Sequence, residues 1–370
     1  MPASSWWSAD MPGQPQTSRS TWLKTHLFSS PLNSLLTIIG LYVLFVLISG
    51  VLDWAVFTAS WSGTDRSACL KPEQGACWPF VAAKIKQFIY GNYPDSTLWR
   101  PNLVFLTALA GLVWLMHPGT FGKRRVGVFM LTGFPLMTVI LLAGGSFGLT
   151  EVQTNLWGGL LVTLVIAYAG IVLSLPLGIL LALGRQSDLP MVRGLSVVFI
   201  EVWRGVPLIT VLFMASVMLP LFLPAGVNFD SLLRCLIGVA LFAAAYIAEV
   251  VRGGLQAIPQ GQYEAIKALG LGYWQGMYTV ILPQALRISI PGIVNTFIGL
   301  FKDTTLVMIV GLFDLMGVVM FHYTDPNWAA PQVPLTGYVF AGMIFWFFCY
   351  AMSRYSKNLE AKLATDRKET

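Results

Sequence analysis

Long apolar runs dominate the chain, and polar residues fall mostly in the gaps between them. The runs cover about residues 34–56, 102–117, 126–145, 155–183, 197–223, 231–251, 291–318 and 336–353. A helix needs roughly 20 apolar residues to cross the hydrocarbon of a bilayer. The pattern therefore predicts an all-α, polytopic membrane protein with about eight transmembrane helices. The second run is short, and Pro118 closes it. The fourth contains Pro176, which a membrane helix tolerates when the freed backbone group finds another partner. The segment up to about residue 30 has no such periodicity. It also lacks a basic start, a short apolar core and a small-residue cleavage site, so it reads as a retained tail and not as a secretory signal.

Composition sharpens this reading. Of 370 residues, 56% are hydrophobic and 11% are charged, with a net charge of +6. Soluble domains carry about 25% charged residues, so most of this surface need not face water. A basic protein invites a nucleic-acid reading only when its charge forms a patch or stripe. Here the basic residues are scattered between apolar runs, and no nucleic-acid partner is expected.

Their distribution predicts orientation, because Lys and Arg accumulate on cytoplasmic flanks. An even number of spans puts both termini on one side. That side collects Arg19, Lys24, Lys123, Arg124, Arg125, Arg185, Arg193, Arg252, Lys267, Arg287 and the tail residues Arg354, Lys357, Lys362, Arg367 and Lys368, which is 15 of the 23 basic residues. The other side has six: Arg66, Lys71, Lys84, Lys86, Arg100 and Arg234. Both termini are thus expected in the cytoplasm and the 57–101 loop outside. Cys69 and Cys77 share that outer loop, where an oxidising compartment permits a disulfide; two free thiols are the alternative. Cys235 and Cys349 read as small apolar packing residues.

Three places bring ionisable groups into apolar runs, where charge is costly and usually faces protein or a water path. Glu201 and Arg204 are three residues apart, so one helical face can pair them, while Gly205 and Pro207 break or bend the span. Lys302 and Asp303 are adjacent and more naturally reach different partners, with Thr304 beside them. Asp314 comes late in the same run. Plain structural ion pairing explains all three as readily as function does. Nothing is arranged for covalent chemistry. The three histidines lie far apart, no metal-ligand spacing occurs, and there is no phosphate-binding GxxxxGK[ST] loop, so neither a catalytic residue nor a metal site is expected.

Between the sixth and seventh runs lies a long polar-faced stretch, about 252–290. Ile266, Leu269, Trp274 and Met277 recur at roughly helical spacing, Glu264 and Lys267 share a polar side, and Gly270 ends the first short helix. Pro283 marks a further boundary. A short helix across the cytoplasmic mouth, offering its surface to another protein, fits this pattern. A helix resting on lipid fits it equally well.

Glu264–Ala265–Ile266, then Gly270, then Leu282–Pro283 resembles the EAA signature of ABC-transporter permease subunits, with Ile266 in place of the usual third-position alanine. Glu201–Val202–Trp203–Arg204–Gly205–Val206–Pro207 resembles the E-x-x-R-G-x-P element of polar amino-acid permeases, and Lys302–Asp303–Thr304–Thr305–Leu306 their K-D-[TS]-[TS]-L element. The resemblance covers about residues 150–360. It implies an importer core there with a coupling loop at 252–290, preceded by a transmembrane extension over 31–149 and flanked by tails at 1–30 and 361–370. That layout is similar to the larger permease of general L-amino-acid uptake systems. The resemblance further implies a bacterial inner-membrane location, two ATPase subunits, a sister permease, a periplasmic amino-acid-binding protein and an L-amino-acid substrate. Cofactors are expected on the partners as ATP and Mg, with none in this chain. A narrower substrate set, such as glutamate/aspartate, glutamine or a basic amino acid, is the alternative within the family. A secondary transporter would show inverted repeats, and an enzyme would show converging nucleophilic or metal-binding groups. Neither pattern is evident.

Overall fold

The computed structural model describes residues 19–71, 73–117, 119–222, 224 and 229–366. Pro118, most of the N-terminal tail, and Arg367 and Lys368 lie outside the described residues. Within them the protein is helical, without a β-strand. The expected spans appear as α1 Pro31–Phe57, α3 Trp99–Met116, α4 Lys123–Ala143, α5 Gly159–Arg185, the broken pair α6 Pro190–Gly205 and α7 Leu208–Phe222, α8 Ser231–Gln256, α10 Tyr273–Val310 and α12 Val333–Asp366. Three shorter helices connect them: α2 Trp78–Tyr90, α9 Gln260–Ala268 and α11 Leu315–His322.

The structure refines three boundaries of the sequence reading, each for a physical reason. The fifth apolar run is broken, as expected at Gly205 and Pro207. α6 and α7 meet at 104°, because Pro207 cannot continue the helix and Val206 takes extended geometry (φ −109°, ψ 136°). The 252–290 stretch is not all loop. α8 runs on to Gln256 and α10 begins at Tyr273, carrying Pro283 and Pro291 inside it. A π-helical turn over Met277–Ile281 comes just before Leu282–Pro283 and absorbs the missing N–H. The same device precedes Pro135 (π turn Phe129–Gly133) and Pro220 (π turn Met214–Met218). Finally, the seventh span stops at Val310. Asp314 lies beyond it, outside any span, as the N-cap of α11.

α5 and α8 form the centre, with α10 against α8. Close approach depends on missing side chains, as is usual where helices meet in a membrane. A Cβ on Gly178 of α5 would sit 2.6 Å from the Ile247 side chain of α8, and one on Gly254 of α8 would sit 2.5 Å from the Ala285 carbonyl of α10. Ala243, Ala244, Ala245 and Ala248 are buried along the same stretch of α8. Such interfaces gain from van der Waals packing, not from expelling water.

The 57–101 stretch is folded. Cys69 and Cys77 are joined, with Cα atoms 5.6 Å apart, and α2 packs on α5, α11 and α12. Arg66 donates its backbone N–H to the Asn327 carbonyl (2.9 Å), Cys77 donates its own to Thr336 Oγ1 (2.9 Å), and Lys84 pairs with Asp325 at 2.7 Å. Phe80 and Phe88, both fully buried, pack against Trp328 and Phe340. Arg100, only 3% exposed, donates to the Thr150 carbonyl (2.7 Å) and hydroxyl (2.8 Å). α1 stands apart: none of its spanning window is buried, and it is held chiefly at its C-terminal end, where Trp54 and Ala55 bond Gln332 and Trp78.

Candidate functional site

At the end of the bundle opposite the disulfide, four charged side chains meet around Glu249 of α8. Arg252, one turn on, donates through Nε (2.9 Å) and Nη2 to Glu249 Oε1. Arg185 at the end of α5 reaches Glu249 Oε2 at 3.4 Å and Glu201 Oε1 at 3.0 Å. Arg204 reaches Glu249 Oε2 at 3.7 Å and lies over the Tyr246 ring. The expected Glu201–Arg204 pairing is therefore corrected. Each partners a residue on another helix, Arg185 for Glu201 and Glu249 for Arg204, because the bend after Gly205 lays α6 across the ends of α5 and α8 instead of along the span. Sequence reasoning missed Glu249 as the hub, although an acid inside an apolar run three residues before Arg252 is the same signal it used for Glu201 and Arg204.

Lys302, Asp303 and Thr304 sit where α-helical geometry in α10 tightens to a 3₁₀ turn, Thr304–Val310. Thr304 is buried and its hydroxyl returns to the Phe301 carbonyl (2.8 Å). Neither Lys302 nor Asp303 makes an ion pair among the described residues; Lys302 is exposed and Asp303 half-buried. The expectation of different partners within the chain is not met, and these charges are left for water or another molecule.

The short helix of the signature is α9. It is pinned inward by three contacts. Ile266 lies against Gly276, where a Cβ would come within 2.4 Å of it; Tyr263 donates to the Leu255 carbonyl (3.3 Å); and Gln284 donates to Gln262 (3.3 Å). It ends as glycine termini do, with Gly270 at φ +67°, its N–H on the Lys267 carbonyl, and Leu271 N–H on the Ile266 carbonyl (3.2 Å). Glu264, Ala265 and Lys267 face outward. The apolar positions split. Met277 is buried and Ile266 half-buried, but Leu269 is 74% exposed and Trp274 68%. They do not form one inward stripe, because the chain turns at Gly270 between them. Pro283, exposed, and Leu282 belong to the span behind α9 and not to a boundary.

α9 is thus a short helix between two spans, with Glu264, Ala265 and Lys267 exposed on it and Leu269 and Trp274 exposed just beyond it. The sequence pattern of the binding-protein-dependent transport system inner membrane component family matches residues 174–365. The chain belongs to that family. It is 52% identical, over 96% of both chains, to the inner membrane amino-acid ABC transporter permease protein YhdY of Escherichia coli strain K12. It is 42% identical, over 94% of both, to the glutamate/glutamine/aspartate/asparagine transport system permease protein BztC of Rhodobacter capsulatus. The probable glutamine ABC transporter permease protein GlnP of Bacillus subtilis matches 56% of this chain and 93% of its own length at 30% identity. Among solved structures, a crystal structure of an amino acid ABC transporter with histidines matches 55% of this chain and 92% of that chain, with 26% identity and a TM-score of 0.49. The family match lies in the C-terminal part of the chain, whereas the Escherichia coli and Rhodobacter relatives align with nearly all of it.

Proposed function

We propose that this chain is the permease subunit of an ATP-driven importer of L-amino acids in a bacterial inner membrane. Both termini and α9 face the cytoplasm, as the basic-residue asymmetry supports. α9 carries the reading. It is held by Ile266, Tyr263 and Gln262 yet leaves Glu264 and Ala265 open, as a rigid docking helix requires. Two ATPase chains would supply Mg-ATP hydrolysis, a sister permease would complete the path, and a periplasmic binding protein would deliver the amino acid. Closure of the ATPases on ATP moves α9, and through it α8 and α10, toward an outward-open state; hydrolysis reverses this. Coupling of this kind needs a contact whose strength differs between the two states. Lys302, Asp303 and Thr304 are transport-core candidates together with Glu201, Arg204, Gly205 and Pro207, since Lys302 and Asp303 find no ion pair among the described residues. Glu201, Arg204, Gly205 and Pro207 set the position of α6. Relatives named for amino-acid transport support the substrate class, and the long layout supports a broad range. The name of the Rhodobacter relative favours a second reading, a set limited to acidic amino acids and their amides.

The test replaces Glu264 by Lys and Gly270 by Trp. The first reverses a charge at the contact. The second forces a side chain onto backbone at φ +67°. Both variants should insert normally and lose ATPase recruitment or uptake per ATP in liposomes. Full recruitment with unchanged coupling in both would assign α9 to the lipid surface instead.

A further inference from the structure

The α9 end of the bundle also holds an open cleft that the Glu249 network leaves unfilled. It has a volume of ≈ 570 Å³ and is lined by Arg185, Gln186, Arg193, Val197, Arg252, Gln256 and Tyr263. Every charged group in this lining is a guanidinium. Arg185 commits only Nη1 to Glu201 and Glu249, and Arg252 commits Nε and Nη2 to Glu249. Nε and Nη2 of Arg185 and Nη1 of Arg252 remain available, and the Arg193 side chain has no hydrogen-bond or ion-pair partner among the described residues. The carboxylates in the neighbourhood, Glu201 and Glu249, are already held by arginines, and Asp188 on the α5–α6 connection lies toward Tyr273.

The cleft sits where spans leave the hydrocarbon. Arg185 ends α5 and Gln256 ends α8. α6, which contributes Arg193, carries an apolar stripe on its open side: Met191, Leu195, Val198 and Val202 are 75%, 67%, 62% and 56% exposed, at successive spacings of four, three and four residues. One helix therefore offers a surface suited to acyl chains and a guanidinium beside a donor-rich cavity. Planar guanidinium forks match phosphate oxygens two at a time.

We propose that this cleft binds a phosphate group, most directly the headgroup of an acidic phospholipid whose tails lie along α6. Tyr263 belongs to α9 and also lines the cleft, so the bound phosphate ties α6 to the docking helix. The proposal does not depend on what α9 docks against.

The experiment uses the full-length protein, with whatever chains accompany it, stripped of lipid in a neutral detergent. Thermal unfolding is followed against phosphatidylglycerol, phosphatidylcholine, and inorganic phosphate at matched ionic strength. Phosphatidylglycerol is expected to raise the midpoint by several degrees and phosphatidylcholine to leave it in place. Arg193→Gln should weaken the half-saturating phosphatidylglycerol concentration several-fold, and Arg193→Lys should restore much of it. A gain from inorganic phosphate equal to that from the lipid, lost in Arg193→Gln, assigns the site to a soluble phosphate compound and keeps the proposal. Equal response to both lipids with no phosphate effect overturns it, as does an undiminished gain in Arg193→Gln. If Arg193→Gln does not fold, a photoactivatable phosphatidylglycerol on the wild-type protein decides. Crosslinks at 185–197 and 252–263 support the site, and crosslinks confined to other spans overturn it. Loss of an accompanying protein chain in Arg193→Gln, with the lipid response intact, also overturns it by making the cleft a protein contact.

Discussion

The two ends of this bundle are built on opposite principles. At the disulfide end, several polar groups find partners inside the chain. Lys84 meets Asp325, the Cys77 N–H meets Thr336, and Asp314 accepts from the Met316 and Gly317 N–H groups. Thr163 takes the Leu315 N–H at 3.0 Å and donates to the Gly159 carbonyl at 3.1 Å. At the α9 end, Leu269, Tyr273, Trp274 and Tyr278 are exposed, and arginines outnumber the carboxylates that hold them. The first surface is largely satisfied within one chain, and the second leaves donors and aromatic rings open.

The largest expected effect comes from removing the one acid on which the α9 end depends. Glu249→Leu leaves Arg204 and Arg252 without their carboxylate and Arg185 with Glu201 alone. Breaking a fully buried pair costs roughly 3–5 kcal/mol. Because Glu249 keeps 22% of its side-chain exposure, the loss should fall toward the lower part of that range. Thermal unfolding of the purified protein measures it, and Glu201→Gln, at a side chain 56% exposed, should cost about 1 kcal/mol or less. Equal costs at the two positions would remove the hub role from Glu249.

The second effect is local to the other end. Cys69→Ser opens a loop closed by a sequence separation of 8 residues, and closure of so small a loop contributes on the order of 2–3 kcal/mol. Hydrogen exchange over 66–90 should quicken while α9 and α10 exchange as before. Quickening that reaches α9 would show that the two ends are coupled.

The smallest effect is a pH dependence at the disulfide end. Burial, and next the nearby Lys84, lower the pKa of His322 from its ordinary 6.5, with Asp325 acting the other way. The folded state therefore binds less proton than the unfolded one. Its contribution is present above pH 6.5 and declines as pH falls below it. Burial raises Asp314 to about 6, which works in the opposite direction. His322→Gln isolates the first from the second. Relative to the wild type, the variant should keep more of the hydrogen-exchange protection of α11 between pH 7 and pH 5.5. Parallel profiles would clear His322 of the effect.

Much of the architecture could be read from the order of residues, but unevenly. The apolar runs located the membrane helices because their hydropathy depends on nothing outside each run. Ends were displaced where proline occurs. At Pro283 and Pro291 a helix continues through a residue that usually stops one, and at Pro207 a span is broken into two nearly perpendicular pieces. Glycine at 270 marked the end of α9 because only its backbone conformation was at issue. Ion-pair partners were not legible. Spacing along one helix ranks Arg204 nearest to Glu201, whereas the fold brings in Arg185 from the preceding helix and Glu249 from α8. The exposure of Leu269 and Trp274 was hidden for a similar reason, since apolar periodicity does not tell a core from an unfilled contact.

α1 extends the contrast into the bilayer itself. Its 27 residues measure about 40 Å at 1.5 Å per residue, against a hydrocarbon thickness of about 30 Å. No neighbouring helix buries its length, so packing does not set its angle. The surplus of about 10 Å is taken up by inclination or by projection into the headgroups. With the C-terminal end fixed to Gln332 and Trp78, inclination swings the other end sideways. Membrane thickness thereby becomes a coordinate of this protein: a thinner bilayer carries residues 19–31 farther from the bundle, and a thicker one draws them in.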